Sequence, residues 1–212
     1  MELYGYFRSS ASYRLRIALA LKGLEYESHY VSLPKGEHRS PDYLKLNPQG
    51  LLPTLVDDGV AYGQSLAILE YLDESYPEPP FLPDDPSGRA QVRALAQIVA
   101  CEIHPLNNLR VLKYLQGTWK FSDADRDSWY RHWIADGFQK FEATLAASGE
   151  AGRFCFGDHP GLADICLVPQ VFNARRFDCP LDDYPTTMAV YERCMSLEAF
   201  ETTQPKYQPD AF

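Results

Sequence analysis

The sequence predicts two domains, an α/β domain with the element order βαβαββα followed by an all-α domain. Within the first 80 residues, short runs of alternating apolar and polar residues are separated by runs of helical periodicity. After residue 87 no convincing alternation remains, and helical periodicity dominates. Between the two lies a stretch with five prolines in residues 77–87, which is typical of a linker. We therefore expect domains at 1–80 and 88–212 joined by a Pro-rich linker at 81–87.

The first half of the α/β domain begins with residues 2–7, which alternate, are rich in aromatic residues, and predict a strand. Serines then precede a helical pattern from Tyr13 to Lys22, which Gly23 ends. Residues 26–33 alternate again and predict a second strand. A short helix follows Ser40-Pro41 and ends near Leu46, before a turn at residues 47–50.

The second half of this domain predicts a hairpin and a helix. Residues 52–56 form a strand entered through Pro53, and Asp57-Asp-Gly59 is a hairpin signal before the partner strand at 60–63. Gln64 and Ser65 precede an apolar-periodic helix over 66–73, so either residue is a candidate cap.

The second domain predicts helices only. Residues 88–116 form one long pattern, interrupted at His104-Pro105, where proline bends or breaks a helix. Further helical patterns cover residues 123–148, 161–174 and 184–195.

Composition excludes several classes of protein. The net charge is −9, and an acidic chain gains nothing from a phosphate backbone, so we expect no nucleic-acid partner. We expect no membrane partner either, because no run approaches the ~18 apolar residues of a span. The N-terminus lacks the order of a secretory signal. The five cysteines are odd in number and form no CxxC pair, which argues against a disulfide framework or a zinc site. These features together predict a cytoplasmic protein.

The segment from Arg8 to Arg14, with serines at 9, 10 and 12, carries the strongest chemical signal. It lies where the first strand meets the first helix. A helix N-terminus presents unpaired N–H groups and a partial positive charge, which favour an anion such as a thiolate. The competing interpretation is capping, since Ser is a preferred N-cap. Both hold if one hydroxyl caps the helix and another faces a ligand.

Other candidate groups are weaker when taken singly. Leu52-Pro53 is a candidate cis bond, and Gln64-Ser65 either caps a helix or holds a carboxylate at its N-terminus. Arginine binds carboxylates in bidentate fashion, but most arginines are simply exposed. The residues in question are Arg8, Arg110, Arg175, Arg176 and, beside a helix-breaking proline, His104.

In combination, these motifs resemble the zeta class of glutathione transferases, which includes the maleylacetoacetate and maleylpyruvate isomerases. Residues 6–23 are similar to the SSCxWRVRIAL signature of that class, and residues 46–55 and 64–72 resemble its glutathione-binding half. Gly157-Asp158, Leu162-Ala-Asp164 and residues 167–170 resemble its helical-domain signature. The resemblance covers nearly the whole chain.

The resemblance implies a thioredoxin-like N-terminal domain, a helical C-terminal domain, a homodimer and glutathione as cofactor. It also implies a small dicarboxylic keto acid as substrate, with isomerisation of maleylacetoacetate in tyrosine and phenylalanine catabolism as the function. The implied catalytic residues are Ser9, Ser10, Arg8 and Arg176. The implied glutathione-binding residues are Ser9, Ser10, Ala11, His38, Leu52, Gln64, Ser65, His104, Asn108 and Arg110.

The chain departs from the family pattern at three positions. Ala11 stands in place of the signature Cys, Tyr13 in place of Trp, and Gly161 in place of a Ser or Thr cap facing Asp164. The absent thiol therefore has no required role in this chain. Alternative functions are a maleylpyruvate isomerase, a general glutathione transferase or peroxidase, and a non-catalytic thioredoxin-like binding module. The serines and arginines argue against the last.

Overall fold

The structure is a computed structural model and describes residues 1–211; residue 212, the end of the predicted helical domain, lies outside the described residues. The chain forms two compact units. Residues 1–80 and 196–211 make the first, and residues 81–195 make the second. The sequence assigned residues 196–211 to the helical domain, but in the structure this segment packs with the α/β unit.

The first unit contains a four-stranded mixed sheet in the order β2-β1-β3-β4. The strands are β1 (Glu2–Gly5), β2 (Glu27–Tyr30), β3 (Thr54–Asp57) and β4 (Val60–Gly63). β1 pairs parallel with β2 and antiparallel with β3, and Leu3 lies opposite Leu55. β4 pairs antiparallel with β3. The predicted hairpin is therefore present, whereas β2 is shorter than the predicted 26–33.

The helices of the first unit are α1 (Ser10–Leu21), α2 (Pro41–Leu46) and α3 (Ser65–Ser75). The observed order βαβαββα confirms the predicted fold. α1 is buried almost throughout, with Leu15, Ile17 and Leu19 at 0% exposure. Burying such side chains contributes about 1.5–3 kcal/mol each, so α1 is held by packing. Its N-terminal turn is thereby fixed at the end of β1.

The C-terminal segment contains a short helix, α9 (Glu198–Glu201), and a 3₁₀ turn at Pro205–Tyr207. It joins the first unit through α1. The hydroxyl of Tyr13 donates to the carbonyl of Phe200 at 3.2 Å, and Nε of Arg16 donates to the carbonyl of Thr203 at 3.1 Å. Buried backbone carbonyls need hydrogen-bond donors. Tyr13 and Arg16 of α1 supply these donors, so the C-terminal segment packs along α1.

The second unit is helical, as predicted. Its helices are α4 (Pro86–Gln97), α5 (Leu109–Thr118), α6 (Asp123–Ala147), α7 (Leu162–Arg176) and α8 (Pro185–Met195). α4 continues into a π-helical stretch at Ile98–Ile103, so the predicted break at His104-Pro105 is present. Ile103 packs directly over Gly137 of α6, where any Cβ would collide with its side chain. No helix among residues 1–211 is both long enough and apolar enough to cross a membrane.

Helix α7 forms despite glycine at its cap position. The buried carboxylate of Asp164 accepts hydrogen bonds from the backbone N–H groups of Gly161 and Cys155, at 2.8 and 2.9 Å. Burial raises the pKa of Asp164, and those two N–H groups oppose the shift. Since Gly costs only a few tenths of a kcal/mol at an N-cap, the carboxylate is sufficient to begin the helix.

Candidate active site

Ser9 caps helix α1 and keeps a hydroxyl proton to donate. Its backbone is extended, and its Oγ accepts the N–H of Ser12 at 3.2 Å. As the oxygen serves as acceptor, the hydroxyl hydrogen remains directed elsewhere. Ser9 is half-buried, whereas Ser10 and Ala11 are only 5% and 6% exposed. The N–H of Ala11 has no partner within residues 1–211, so the turn offers donors to an anion.

The turn leading into α1 also holds Arg8 and Tyr6. Nη2 of Arg8 donates to the hydroxyl of Tyr6 at 3.1 Å, and the guanidinium lies 5.0 Å from the ring centre of Phe7. Arg8 is exposed, whereas Tyr6 is only 6% exposed. The tyrosine hydroxyl is thus occupied by an arginine, and Ser9 is the more accessible hydroxyl of this turn.

The loop before β3 presents an open segment of backbone. The Leu52-Pro53 bond is cis, as predicted. Among residues 1–211, neither the N–H nor the C=O of Leu52 forms a hydrogen bond. Such a backbone edge can pair with an extended peptide.

Asn47 supports this loop, and the sequence analysis missed it. Its Nδ2 donates to the carbonyl of Leu51 at 3.0 Å and to Oγ1 of Thr54 at 2.9 Å. Its Oδ1 accepts the N–H of Gln49 at 3.1 Å. Asn47 is 5% exposed. The sequence indicated this role only through the place of Asn47 in an Asn-Pro-Gln-Gly turn, because Asn side chains form hydrogen bonds to nearby backbone in turns.

The start of α3 differs from the predicted cap. Gln64 occupies the cap position but makes no side-chain hydrogen bond to the helix, so the capping interpretation is wrong. Its Nε2 instead donates to Oε1 of Gln49 at 2.6 Å. Its φ of 66° lies in the left-handed region, which costs a non-glycine residue free energy and is common at functional sites.

Ser65 is the first residue of α3 and contacts a buried arginine that the sequence analysis did not single out. Nη1 of Arg14 donates to Oγ of Ser65 at 3.1 Å. Arg14 is 1% exposed and Ser65 is 8% exposed. A positive charge behind this hydroxyl, together with the helix N-terminus, favours a bound carboxylate. In the sequence, the one sign of a role for Arg14 was that a charged residue stands inside an otherwise apolar helical pattern.

His38 lies in the same unit, in a 3₁₀ turn at Glu37–Arg39. It is 9% exposed. Its carbonyl oxygen would lie 3.2 Å from a Cβ added at Gly50, whose φ is +58°. The turn carrying His38 therefore packs closely on the loop that leads to Leu52.

The remaining predicted site residues belong to the second unit. His104 ends the π-helical stretch and is half-buried. Asn108 caps α5, because its Oδ1 accepts the N–H of Arg110 at 3.1 Å. Arg110 is exposed, and Arg176 is exposed with its guanidinium 4.8 Å from the ring centre of Phe177.

Arg175 has structural contacts instead. It donates to the hydroxyl of Tyr191 at 3.2 Å and to the carboxylate of Glu192 at 3.1 Å. These contacts occupy its guanidinium at the surface of the second unit.

The first unit therefore joins three stretches that were predicted separately. The N-terminus of α1, the Leu52-Pro53 loop and the N-terminus of α3 are linked by the contacts of Arg14 to Ser65 and of Gln64 to Gln49. Together they offer hydroxyl groups, helix N-termini and open backbone. This arrangement suits a short peptide with carboxylate ends and a thiol that ionises.

Comparison with known proteins agrees with this chemistry. Residues 8–75 match the family described as glutathione S-transferase, N-terminal domain, and residues 131–193 match the corresponding C-terminal domain. A probable maleylacetoacetate isomerase from Vibrio cholerae is 48% identical over 99% of this chain and 97% of its own. A maleylpyruvate isomerase from a Ralstonia species is 49% identical over 100% of both chains.

A solved structure of a maleylacetoacetate isomerase is also similar to this chain. A maleylacetoacetate isomerase from Methylobacterium extorquens AM1 is 38% identical, covers 100% of both chains and superposes with a TM-score of 0.97. That protein was solved with malonate and GSH bound. The likeness extends over both units of the present chain.

Proposed function

This chain belongs to the zeta class of the glutathione S-transferase family, a class of glutathione-dependent cis–trans isomerases, and from that premise we propose that its substrate is a maleyl keto acid, with maleylacetoacetate converted to fumarylacetoacetate. The observation that carries the proposal is the geometry of Ser9. Its hydroxyl caps α1 through the oxygen and keeps its proton for a neighbouring anion.

The residues of the first unit fit glutathione. The open backbone of Leu52 suits pairing with the peptide. The N-terminus of α3, with Gln64 and Ser65, suits the γ-glutamyl carboxylate, and the buried Arg14 behind Ser65 adds positive charge. We assign His38 to the glycyl end. In the second unit, Asn108 keeps its amide N–H groups as donors, and we assign it, His104 and Arg110 to the cofactor or the substrate.

The energetic demand on Ser9 is modest. A free thiol with a pKa of about 8.5 is only about 3% ionised at neutral pH. Lowering that pKa by about two units requires roughly 2.7 kcal/mol. A hydroxyl bond to a charged group contributes about 1.5–3 kcal/mol, and a helix N-terminus about 0.3–1 kcal/mol. Ser9 and the first turn of α1 therefore meet the demand, with Ser10 and Ala11 as neighbours.

The chemistry that bound glutathione supplies is a thiolate nucleophile, whose reversible addition to the conjugated double bond removes the barrier to rotation. Ser9 donates a hydrogen bond to the sulfur. Arg8 and Arg176 bind the substrate carboxylates and stabilise the negative charge that develops on the keto group. Arg8 is supported for this role by its exposure beside Ser9, with one Nη on the Tyr6 hydroxyl.

A second candidate substrate is maleylpyruvate. The relatives named for the two activities are 48% and 49% identical to this chain, and the two keto acids differ by only a few atoms. The deciding experiment is an isomerase assay with maleylacetoacetate and with maleylpyruvate, each with and without glutathione. We expect glutathione-dependent turnover with a higher kcat/KM on maleylacetoacetate. A higher value on maleylpyruvate would favour the second candidate.

The same assay separates the other classes. Conjugation of apolar electrophiles without isomerisation, and without loss in Arg8→Ala, would favour a general transferase or peroxidase. Retention on immobilised glutathione with no turnover of any substrate would favour a binding module. We further propose that the protein forms a homodimer and that it lies in the cytoplasm. A cytoplasmic location agrees with the five cysteines, which form no disulfide within residues 1–211.

A further inference from the structure

The backbone of Phe7, directly before Arg8 and Ser9, is held at both polar groups by side chains. Its N–H donates to Oδ2 of Asp210 at 3.0 Å. Its carbonyl accepts a hydrogen bond from Nη2 of Arg16 at 3.1 Å. One of these partners comes from α1, and the other comes from the far end of the chain.

Arg16 connects the segment before α1 with the C-terminal segment. While Nη2 binds the carbonyl of Phe7, Nε donates to the carbonyl of Thr203 at 3.1 Å. Arg16 is 5% exposed, and burial lowers its pKa to about 10, with Asp210 among the groups that oppose the shift. The guanidinium is therefore charged at neutral pH and attracts the Asp210 carboxylate.

The segment between β1 and α1 is short, so its position depends on such contacts. β1 ends at Gly5 and α1 begins at Ser10. Within the segment, the N–H of Ser9 donates to the carbonyl of Tyr6 at 3.0 Å, which closes a turn around Phe7 and Arg8. Fixing Phe7 therefore fixes the turn that presents Ser9.

We propose that Asp210 is a positioning residue for the active site: its carboxylate fixes the backbone of Phe7 and thereby sets the place of Ser9 relative to the glutathione sulfur. Asp210 does not touch cofactor or substrate in this role. The inference rests on the proposed function, because it assumes that Ser9 bonds to that sulfur.

The geometry leads to a separation of kinetic effects. Gln64 and Ser65, which we assign to the rest of the tripeptide with Leu52, are held by contacts that do not involve Asp210, and Asn47 supports the loop at Leu51. Loss of the Asp210 contact should therefore impair thiolate formation more than binding. A displacement of about 1 Å at a reacting group can lower the rate about a hundredfold.

The test compares the full-length protein with D210A, D210N and the control E198A. Asn keeps a carbonyl oxygen that accepts the Phe7 N–H, whereas Ala has no acceptor. Glu198 is an exposed carboxylate in the same C-terminal segment. Four quantities are measured: kcat, KM for glutathione, the pKa of the bound thiol by its ultraviolet thiolate absorbance, and amide hydrogen exchange of residues 6–9.

We expect D210A to lower kcat about ten- to a hundredfold and to change the KM for glutathione less than about threefold. The pKa of the bound thiol should rise, and exchange at Phe7 should accelerate. D210N and E198A should resemble the wild type. Faster exchange in D210A without a loss of kcat would overturn the proposal, as would equal losses in D210N and D210A or unchanged exchange.

Failure of the proposed function gives a different result. In that case the wild type turns over neither keto acid. Hydrogen exchange at residues 6–9 does not depend on catalysis, so it still tests whether Asp210 fixes the turn.

Discussion

Replacing Ser9 with alanine tests the centre of the proposed mechanism. The variant loses the hydroxyl that, in the proposed mechanism, donates a hydrogen bond to the thiolate, and such a bond contributes about 1.5–3 kcal/mol. At about 1.36 kcal/mol per pKa unit, the pKa of the bound thiol should rise by about one to two units. With a bound-thiol pKa near 6.5, about three quarters of the thiol is ionised at pH 7, so this rise in pKa should lower the thiolate fraction, and with it turnover, by about three- to twenty-fivefold.

The same substitution removes the cap on α1, so its effect on stability must be separated from its effect on chemistry. Loss of an N-cap costs about 1 kcal/mol, which lowers the Tm of a protein of this size by about 2–4 °C. Ser122 is a matched control, because its Oγ accepts the N–H of Asp125 at 3.2 Å, the same distance as in the Ser9 cap. Ser122→Ala should lower Tm similarly and leave turnover unchanged.

The assay is the pH dependence of kcat, with the ultraviolet absorbance of the thiolate in the glutathione complex as an independent measurement. Activity should rise with pH through the pKa of the bound thiol, and the rise should occur at higher pH in Ser9→Ala. The two enzymes should therefore converge under alkaline conditions. Unchanged turnover in Ser9→Ala with a large loss in Tyr6→Phe or Ser10→Ala would assign the thiolate bond to that other hydroxyl and refute the reasoning.

Three further predictions follow from other parts of the structure. Gln64→Ala should raise the KM for glutathione about tenfold, with kcat nearly unchanged, because one hydrogen bond to a charged ligand is lost. Arg176→Ala should raise the KM for the keto acid and leave glutathione affinity, measured by calorimetry, unaltered; Arg176→Lys should recover only part of the loss, since it lacks the bidentate fork. Burial raises the pKa of Glu142, but hydrogen bonds from Thr187 and Thr186 outweigh burial and lower it below its usual value near 4.5. The ionised form is thus favoured by folding, so this stabilisation is present above pH 4.5 and lost as the pH falls through the lowered pKa. The Tm difference between the wild type and Glu142→Gln should shrink accordingly on acidification, and a constant difference would contradict the assignment.

Local sequence pattern was enough to predict the elements that carry the site. The serines before α1, the proline at 53 and the hairpin at 57–59 each leave a local signature, because turns, caps and strands depend on neighbouring residues. The same reasoning failed at Gln64. A positive φ in a non-glycine residue is imposed by the surrounding structure and leaves no mark in the local sequence.

Contacts between distant residues account for the rest. Asp210 lies 203 positions from Phe7 along the chain, and no periodicity links the two. The contact of Arg14 with Ser65 spans 51 positions. Asn108 shows a different difficulty: its type suits both a ligand contact and a helix cap, and the structure shows that its carbonyl oxygen caps α5.

Residues 196–211 pack against α1, and this contact has a consequence for biosynthesis. During translation the β-sheet and its helices leave the ribosome before the helical unit, whereas Asp210, the partner of the Phe7 amide, is synthesised 203 positions after Phe7. Domains generally fold in the order in which they are synthesised. The helical unit is therefore translated before the turn that presents Ser9 can form its hydrogen bond to Asp210.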